Sequence, residues 1–274
     1  MTGTLYIVAT PIGNLEDVTL RALRTLREAM LIAAEDTRTT RKLLSHYDIH
    51  TPLTSYNDRN RRLKTPSILG ALALGDVALV SEAGMPAISD PGFDLVVAAY
   101  DAGIRVVPIP GPSAITTAVA ASGLPSRSFT YVGFLPRRGS DRRRLLRSLA
   151  TRPETLVAFE APHRLRDALA DMLTELGDRR IAACRELTKT FEEVFRSRLS
   201  EALAHFAAPR GEFTLVIAGA EPEDAASTVD NAELLTEMRR LRREGTTAQD
   251  AVALLMGRFG LPRRQLYKLW LEIK

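Results

Sequence analysis

The sequence predicts an α/β protein of two units with a small helical extension, on three observations. Strand-like and helix-like segments alternate over about the first 125 residues, which calls for a mostly parallel sheet with helices on its faces. Several apolar runs end abruptly in loops of small residues, the layout of a ligand cleft at the rim of a sheet. After Gly219 the composition turns short-chained and acidic and then becomes amphipathic with a helical period.

In chain order, the first unit holds strands at 5–8, 30–34, 77–80 and 105–108. Helical patterns cover 17–30, 39–47, 63–74, 93–102 and 113–122. Gly123, Leu124, Pro125 and Ser126 combine turn residues with no apolar period and mark the hinge, so the first domain is expected at 1–124. A second α/β domain at 125–220 follows, with strands at 129–134, 155–159, 179–184, 192–196 and 213–218. Two of these strands lack a long intervening helix and should pair antiparallel. A linker at 220–231 precedes a helical region at 228–274, with helices near 232–244, 247–259 and 262–273. Gly245 and Gly260 stand at helix ends, and Thr247 and Pro262 at helix starts.

Three strand ends carry the ligand signal. The run V-A-L-V breaks into S-E-A-G-M-P-A-I-S-D-P-G (81–92), the first strand into A-T-P-I-G-N-L (9–15), and the fourth into I-P-G-P-S-A (109–114). Side chains this short let backbone N–H and C=O groups approach a ligand closely. None of these loops has the spacing of a nucleotide-phosphate loop or a dinucleotide fingerprint. Their prolines also remove donors, which suits a ligand less anionic than pyrophosphate.

Seven motifs occur in order: A-T-P-I-G-N-L-E-D, A-E-D-T-R (34–38), the 81–92 loop, P-G-P-S-A, G-F-L-P (133–136), F-E-A-P-H-R (159–164) and C-R-E-L-T-K (184–189). Over nearly its whole length the chain resembles the ribosomal RNA branch of the tetrapyrrole-methylase, or class III, S-adenosylmethionine (SAM) enzymes. These modify a ribose 2′-hydroxyl of a decoding-centre cytidine in 16S rRNA. One departure is visible: the family's loop usually reads S-D-A-G-T-P, and Glu82 and Met85 stand in the Asp and Thr places.

The resemblance implies two α/β domains of the tetrapyrrole-methylase type, with SAM as cofactor in the cleft between them. The contacts it implies are Pro11, Ser81, Glu82, Ala83, Gly84, Met85, Ser113 and Ala114 on one side, and Phe134 and Phe159 on the other. It also implies a homodimer, and 16S rRNA within the small ribosomal subunit as acceptor. A ribose hydroxyl is a poor nucleophile near neutral pH, so a base or a stabilising cation is useful. Glu160, His163 and Arg164 follow one strand, and Arg185, Glu186 and Lys189 another. Glu160 or Glu186 is the expected proton acceptor and Lys189 the expected stabiliser of developing negative charge. A structural ion pair of Glu160 with Arg185 is the competing expectation.

Charge distribution says more than the formal +4. Between residues 137 and 152 stand Arg137, Arg138, Arg142, Arg143, Arg144, Arg147 and Arg152 against Asp141 alone, a pattern fitted to an RNA backbone or to a solvated helix face. Arg239, Arg240, Arg242, Arg243, Arg258, Arg263, Arg264 and Lys268 form a second cationic set. The G-L-P-R-R-Q-L-Y turn there resembles a helix-turn-helix and adds Arg264 to the expected RNA contacts; a plain helical cap is the alternative.

With 274 residues, 45% hydrophobic and 26% charged, the composition is that of an ordinary globular chain. No apolar run approaches the roughly 20 residues of a membrane span, and no signal peptide is read at the start. The single cysteine, Cys184, cannot form an internal disulfide, and a cytoplasmic location is the expectation. His46, His50, His163 and His205 have no partners at metal spacing, so no metal is expected. Three other functions compete: methylation of a small tetrapyrrole or corrinoid precursor, methylation of a diphthamide-pathway substrate, and non-enzymatic nucleic-acid binding. The last accounts for the arginines but not for the three small-residue strand ends.

Overall fold

The structure, a computed structural model, describes residues 3–221, 231–259, 261 and 263–273. The first unit is a five-stranded sheet of order β3-β2-β4-β1-β5, made of β1 (Thr4–Val8), β2 (Leu31–Ala34), β3 (Leu53–Ser55), β4 (Val77–Val80) and β5 (Arg105–Ile109). All neighbouring pairs run parallel. Every residue of β4 is buried, which is why its sequence shows no polar alternation. Leu5, Ile7, Val77 and Leu79 point to one face, against Ile68 and Leu72 of α3 (Arg61–Leu72) and Leu95 and Ala99 of α4 (Phe93–Asp101). Val8, Ile32, Ala78 and Val80 point to the other, against α1 (Leu20–Glu28) and α2 (Thr37–His46).

Local capping moved two helix starts from their expected places. Asn14 caps a 3-10 turn at Leu15–Asp17 and the Thr19 hydroxyl accepts from the Ala22 N–H, so α1 begins at Leu20 rather than 17. The Asp36 carboxylate accepts from the N–H groups of Arg38 and Thr39, which starts α2 two residues earlier than expected. Strand β3 was not expected, since three residues are too short to display a period.

The second unit is a sheet of order β6-β7-β10-β8-β9, from β6 (Phe129–Phe134), β7 (Thr155–Glu160), β8 (Arg180–Arg185), β9 (Glu193–Arg198) and β10 (Phe213–Ile217). Strands β6 and β7 are parallel, and the other neighbours antiparallel, including the β8–β9 pair anticipated from the missing helix. Helices α6 (Gly139–Leu149), α7 (Pro162–Leu176) and α8 (Leu199–His205) cover one face through Leu146, Leu165, Leu169, Met172 and Leu199.

Helix α5 (Ala114–Ser122) covers the other face. Its Ile115, Ala118 and Val119 pack on Val157, Ala182, Cys184 and Val216, and Arg196 of β9 donates to the Ala121 carbonyl. In packing, α5 therefore sits with the second sheet although it precedes the expected hinge. That hinge is itself tied down, since the Thr155 hydroxyl donates to the Pro125 carbonyl at 2.7 Å. The chain crosses between the sheets before α5, and a period-based reading could not see this because the helix's apolar face fits either sheet.

Helices Asn231–Arg243, Ala248–Phe259 and Arg263–Glu272 share a small core of Leu234, Met238, Val252, Leu255, Leu266 and Trp270. The linker positions 222–230, Gly260, Pro262 and the Arg264 side chain lie outside the described residues. Among the described residues no helix is long and apolar enough to cross a membrane, and no group of three or more His, Cys, Asp or Glu is placed to hold a metal ion.

Candidate functional site

The C-terminal ends of β1, β2 and β4 open on one side of a cavity of about 690 Å³, and the ends of β6, β7 and β8 with the start of β10 close the other. Antiparallel pairing sets Phe213 of β10 beside Glu160 of β7 and Arg185 of β8, so these termini share one edge. Two loops of the first unit are stitched together, Thr10 and Gly84 exchanging backbone hydrogen bonds at 2.9 and 3.0 Å. The loop after β4 is also fixed to the second unit: the Ser89 and Tyr131 hydroxyls lie 2.6 Å apart. Gly13 touches the opposite lip, where any Cβ would fall 2.5 Å from Lys189 Cγ.

All ten residues expected to contact cofactor line this cavity: Pro11, Ser81, Glu82, Ala83, Gly84, Met85, Ser113, Ala114, Phe134 and Phe159. The bulge that ends β6, with Gly133 at φ 73°, lets Phe134 reach the cleft and meet Phe159 at 5.4 Å between ring centroids. Thr10, Glu35, Lys42, Asp90, Cys184, Glu212 and Thr214 also line it, none of them among the expected site residues. Thr10, Glu35, Asp90 and Cys184 each stand inside one of the quoted motifs, which was the available signal.

The expected catalytic residues separate. Glu160 lines the cavity with its side chain 0% exposed; Arg164 Nη2 lies 2.6 Å from Oε1, which also accepts from the Ala161 N–H, while Oε2 has no partner among the described residues. Burial pushes the Glu160 carboxyl up, with the Ala161 N–H and the Arg164 and Arg142 charges opposing. Its ion-pair partner is thus Arg164 on the following helical turn, whereas Arg185 lies 3.4 Å from Glu193.

Glu186 is not on the cavity wall. Its Oε1 takes the Lys189 ammonium at 3.0 Å and the Glu212 N–H at 2.8 Å; burial alone would raise this carboxyl, but these bonds hold it below the usual range. A carboxylate so saturated with donors is a weak base, which argues against Glu186 as proton acceptor. Lys189 reaches the cavity between Glu186 and Glu212. Burial would lower its ammonium, yet the two carboxylates outweigh that and keep it charged.

The arginine segment is also corrected in part. Arg142, expected on RNA, is 5% exposed and holds Asp171 of α7 at 2.7 and 2.8 Å, so it is a buried structural ion pair. Arg143 shares Asp171, Arg144 pairs with Asp141, and Arg147 forks onto Glu175 with two bonds of 2.9 Å. Arg137 and Arg138 are exposed and make no ion pair among the described residues.

Two α/β units that join their strand ends around a backbone-rich, partly aromatic cavity define a class of protein that holds a compact ligand between domains. The chain belongs to the family of tetrapyrrole (corrin/porphyrin) methylases, which it matches over residues 4–203. It is 48% identical to the ribosomal RNA small subunit methyltransferase I of Halalkalibacterium halodurans, over 98% of this chain and 94% of that protein. The protein of the same name from Synechocystis sp. is 49% identical over 99% of both chains. In Thermotoga maritima a third is 53% identical over 222 residues, which are 80% of this chain and all of that protein. Among solved structures, cobalt precorrin-4 methyltransferase matches with a TM-score of 0.58 at 17% identity, over 79% of this chain and 94% of that one. Uroporphyrin-III C-methyltransferase from Thermus thermophilus, complexed with S-adenyl homocysteine, matches at 0.55 and 22% identity, over 79% of this chain and 97% of that one.

Proposed function

We propose that the chain is a SAM-dependent methyltransferase whose acceptor is the ribose 2′-oxygen of a decoding-centre cytidine in 16S rRNA. The observation that carries the SAM part is the cavity itself. Its 690 Å³ suits one ligand of that class, and its wall matches the parts of SAM: backbone groups at 81–85, the Phe134–Phe159 pair for an aromatic base, and carboxylates for a cation. Two buried polar atoms on that wall, Thr10 Oγ1 and Glu160 Oε2, have no hydrogen-bond partner among the described residues and so fit a ligand that donates to them. SAM supplies an activated methyl group when bound. The protein's own work is then to orient the donor, exclude water, align an acceptor oxygen and remove one proton.

In this reading Pro11, Ser81, Glu82, Ala83, Gly84, Met85, Ser113, Ala114, Phe134 and Phe159 hold SAM. Glu160, locked to Arg164, orders the floor of the cavity and offers Oε2 as a hydrogen-bond acceptor. Lys189 presents a cation at the lip, partly neutralised by Glu186 and Glu212. The relatives at 48–53% identity bear an rRNA methyltransferase name, which favours RNA over a tetrapyrrole or corrinoid acceptor. The exposed Arg137 and Arg138 are the best placed of the α6 arginines to meet phosphate, with Arg143, Arg144 and Arg147 able to exchange surface partners. The C-terminal helices, which lie beyond the family match, serve RNA docking rather than chemistry and include Arg264. The acceptor is the assembled small subunit, the protein works as a homodimer in the cytoplasm, and the exposed Phe93, Val97 and Tyr100 face of α4 is the apolar surface offered to a second copy.

Incubation with methyl-labelled SAM and unmodified 30S subunits, followed by nucleoside mass spectrometry, should yield one 2′-O-methylcytidine per subunit. Label in a base, or label only in a corrinoid precursor supplied in parallel, would contradict this reading.

A further inference from the structure

Five carboxylates line the cavity, and their surroundings differ. Glu160 is tied to Arg164 and Glu212 to Lys189, while Glu82 is exposed and Glu35 accepts the Glu82 N–H at 3.3 Å. Asp90 is half-buried and has no ion pair among the described residues. Its surroundings are carboxylates and hydroxyls: Glu35 from the end of β2, Glu82 and Ser81 from its own loop, and Tyr131 from β6. Lys42 of α2 is on the same cavity wall.

The loop that presents Asp90 is held in a costly conformation. Ala87 and Ser89 stand at φ 68° and 63°, the left-handed region that non-glycine residues rarely adopt. The Ser89–Tyr131 hydrogen bond pins this turn across the cleft. Backbone strain kept next to a desolvated carboxylate that has no counter-ion among the described residues fits a preorganised reacting group, since packing alone would select an unstrained turn.

We propose that Asp90 is the catalytic base that receives the proton of the acceptor hydroxyl. This rests on the methyltransferase reading above and replaces Glu160 and Glu186 in the role expected for them. As the acceptor oxygen bonds to the methyl carbon, the carbon–sulfur bond breaks and its electron pair stays on sulfur. The hydroxyl proton passes to an Asp90 carboxylate oxygen and is later lost to solvent. Charge coupling assists the step: a sulfonium nearby favours ionised Asp90 before transfer, and its loss as a neutral thioether forms makes Asp90 more ready to keep a proton. Burial first, and then Glu35, push the free Asp90 carboxyl up to about 6, with the Ser81 hydroxyl opposing, so Asp90 is ionised near neutral pH and becomes protonated below that value.

The full-length protein tests this in two ways. Calorimetry of SAM and of S-adenosylhomocysteine near pH 6, in buffers of different ionisation enthalpy, should show a fraction of one proton released by SAM in excess of its product. Asp90→Asn should abolish that excess. In single-turnover methylation of 30S subunits, Asp90→Asn should be slower by about a hundredfold or more while still binding SAM, and Asp90→Glu should recover part of the rate. The wild-type kcat/KM for SAM, which reports the unliganded protein, should fall about tenfold per pH unit below about 6, and Asp90→Asn should lose that limb. Proton release unchanged in Asp90→Asn, or a rate within threefold of wild type, overturns the assignment. Asp90-dependent proton release without methylation of any RNA supports the placement of Asp90 and overturns the acceptor instead.

Discussion

Replacing Gly13 by valine should weaken SAM binding by roughly thirtyfold or more, about 2 kcal/mol, while leaving the protein folded. A Cβ at this position falls 2.5 Å from Lys189 Cγ, 2.7 Å from Thr188 Oγ1 and 3.0 Å from the Leu187 carbonyl oxygen. The lysine methylene can swing away, but the hydroxyl and the carbonyl belong to a segment fixed by the Asn14 N–H to Thr188 Oγ1 bond and by Lys189 between two carboxylates. The first loop must therefore withdraw from the second unit, which widens the cleft where the ligand needs walls on both sides. Gly13 is itself exposed, but Ile12 beside it and Leu187 opposite belong to the core beneath α5, so thermal unfolding should fall modestly while the other cores keep the protein folded. Calorimetric titration with SAM measures the first effect and a melting curve the second. Undiminished affinity would mean that the lip at Leu187–Lys189 takes no part in holding the ligand.

Arg142→Ala should lower stability by about 3 kcal/mol, because it leaves the largely enclosed Asp171 with only the Arg143 charge beside it. Arg143 is too exposed to replace it fully. Changing Arg137 and Arg138 together to alanine should leave denaturant unfolding nearly unchanged. That pair should instead flatten the slope of log K against log salt for RNA binding by up to about two units. Arg142 and the Arg137–Arg138 pair thus give opposite patterns from one short run of arginines. If Arg142→Ala unfolds at the wild-type denaturant concentration, the ion pair with Asp171 contributes nothing and the segment is uniformly surface charge.

A window over 137–152 holds seven arginines and one acid, but Asp171 and Glu175, which neutralise three of them, arrive from α7, two to three dozen residues downstream. Local charge counts cannot register a partner brought in by packing. The same limit applies to α5: its apolar stripe was legible, and the sheet it would cover was not, because burial on either unit gives the same pattern.

The strands and the cavity were more legible, for a physical reason. V-A-L-V at β4 is buried on both faces and its apolar run stops where the sheet stops, so the break from run to small-residue loop reports the cavity rim directly. Ser81, Gly84, Pro11 and Ser113 stand within a few residues of such breaks, which is why they and their neighbours come together in one cavity. Glu160 and Glu186 each stand at or just past a strand end as well, but their ionisation depends on Arg164, Lys189 and Glu212, whose positions follow from tertiary packing. Asp90 was visible as a letter in the loop. Its lack of an ion pair among the described residues was not, since that depends on how the chain packs in space.

In the proposed reading one methyl donor binds between the two sheets. Isothermal titration of the purified protein with SAM should show one site per chain, competed by S-adenosylhomocysteine and weakened by Gly13→Val. Absence of SAM binding, or binding that Gly13→Val and Phe159→Ala both leave at wild-type strength, would place the donor outside this cleft and contradict the account.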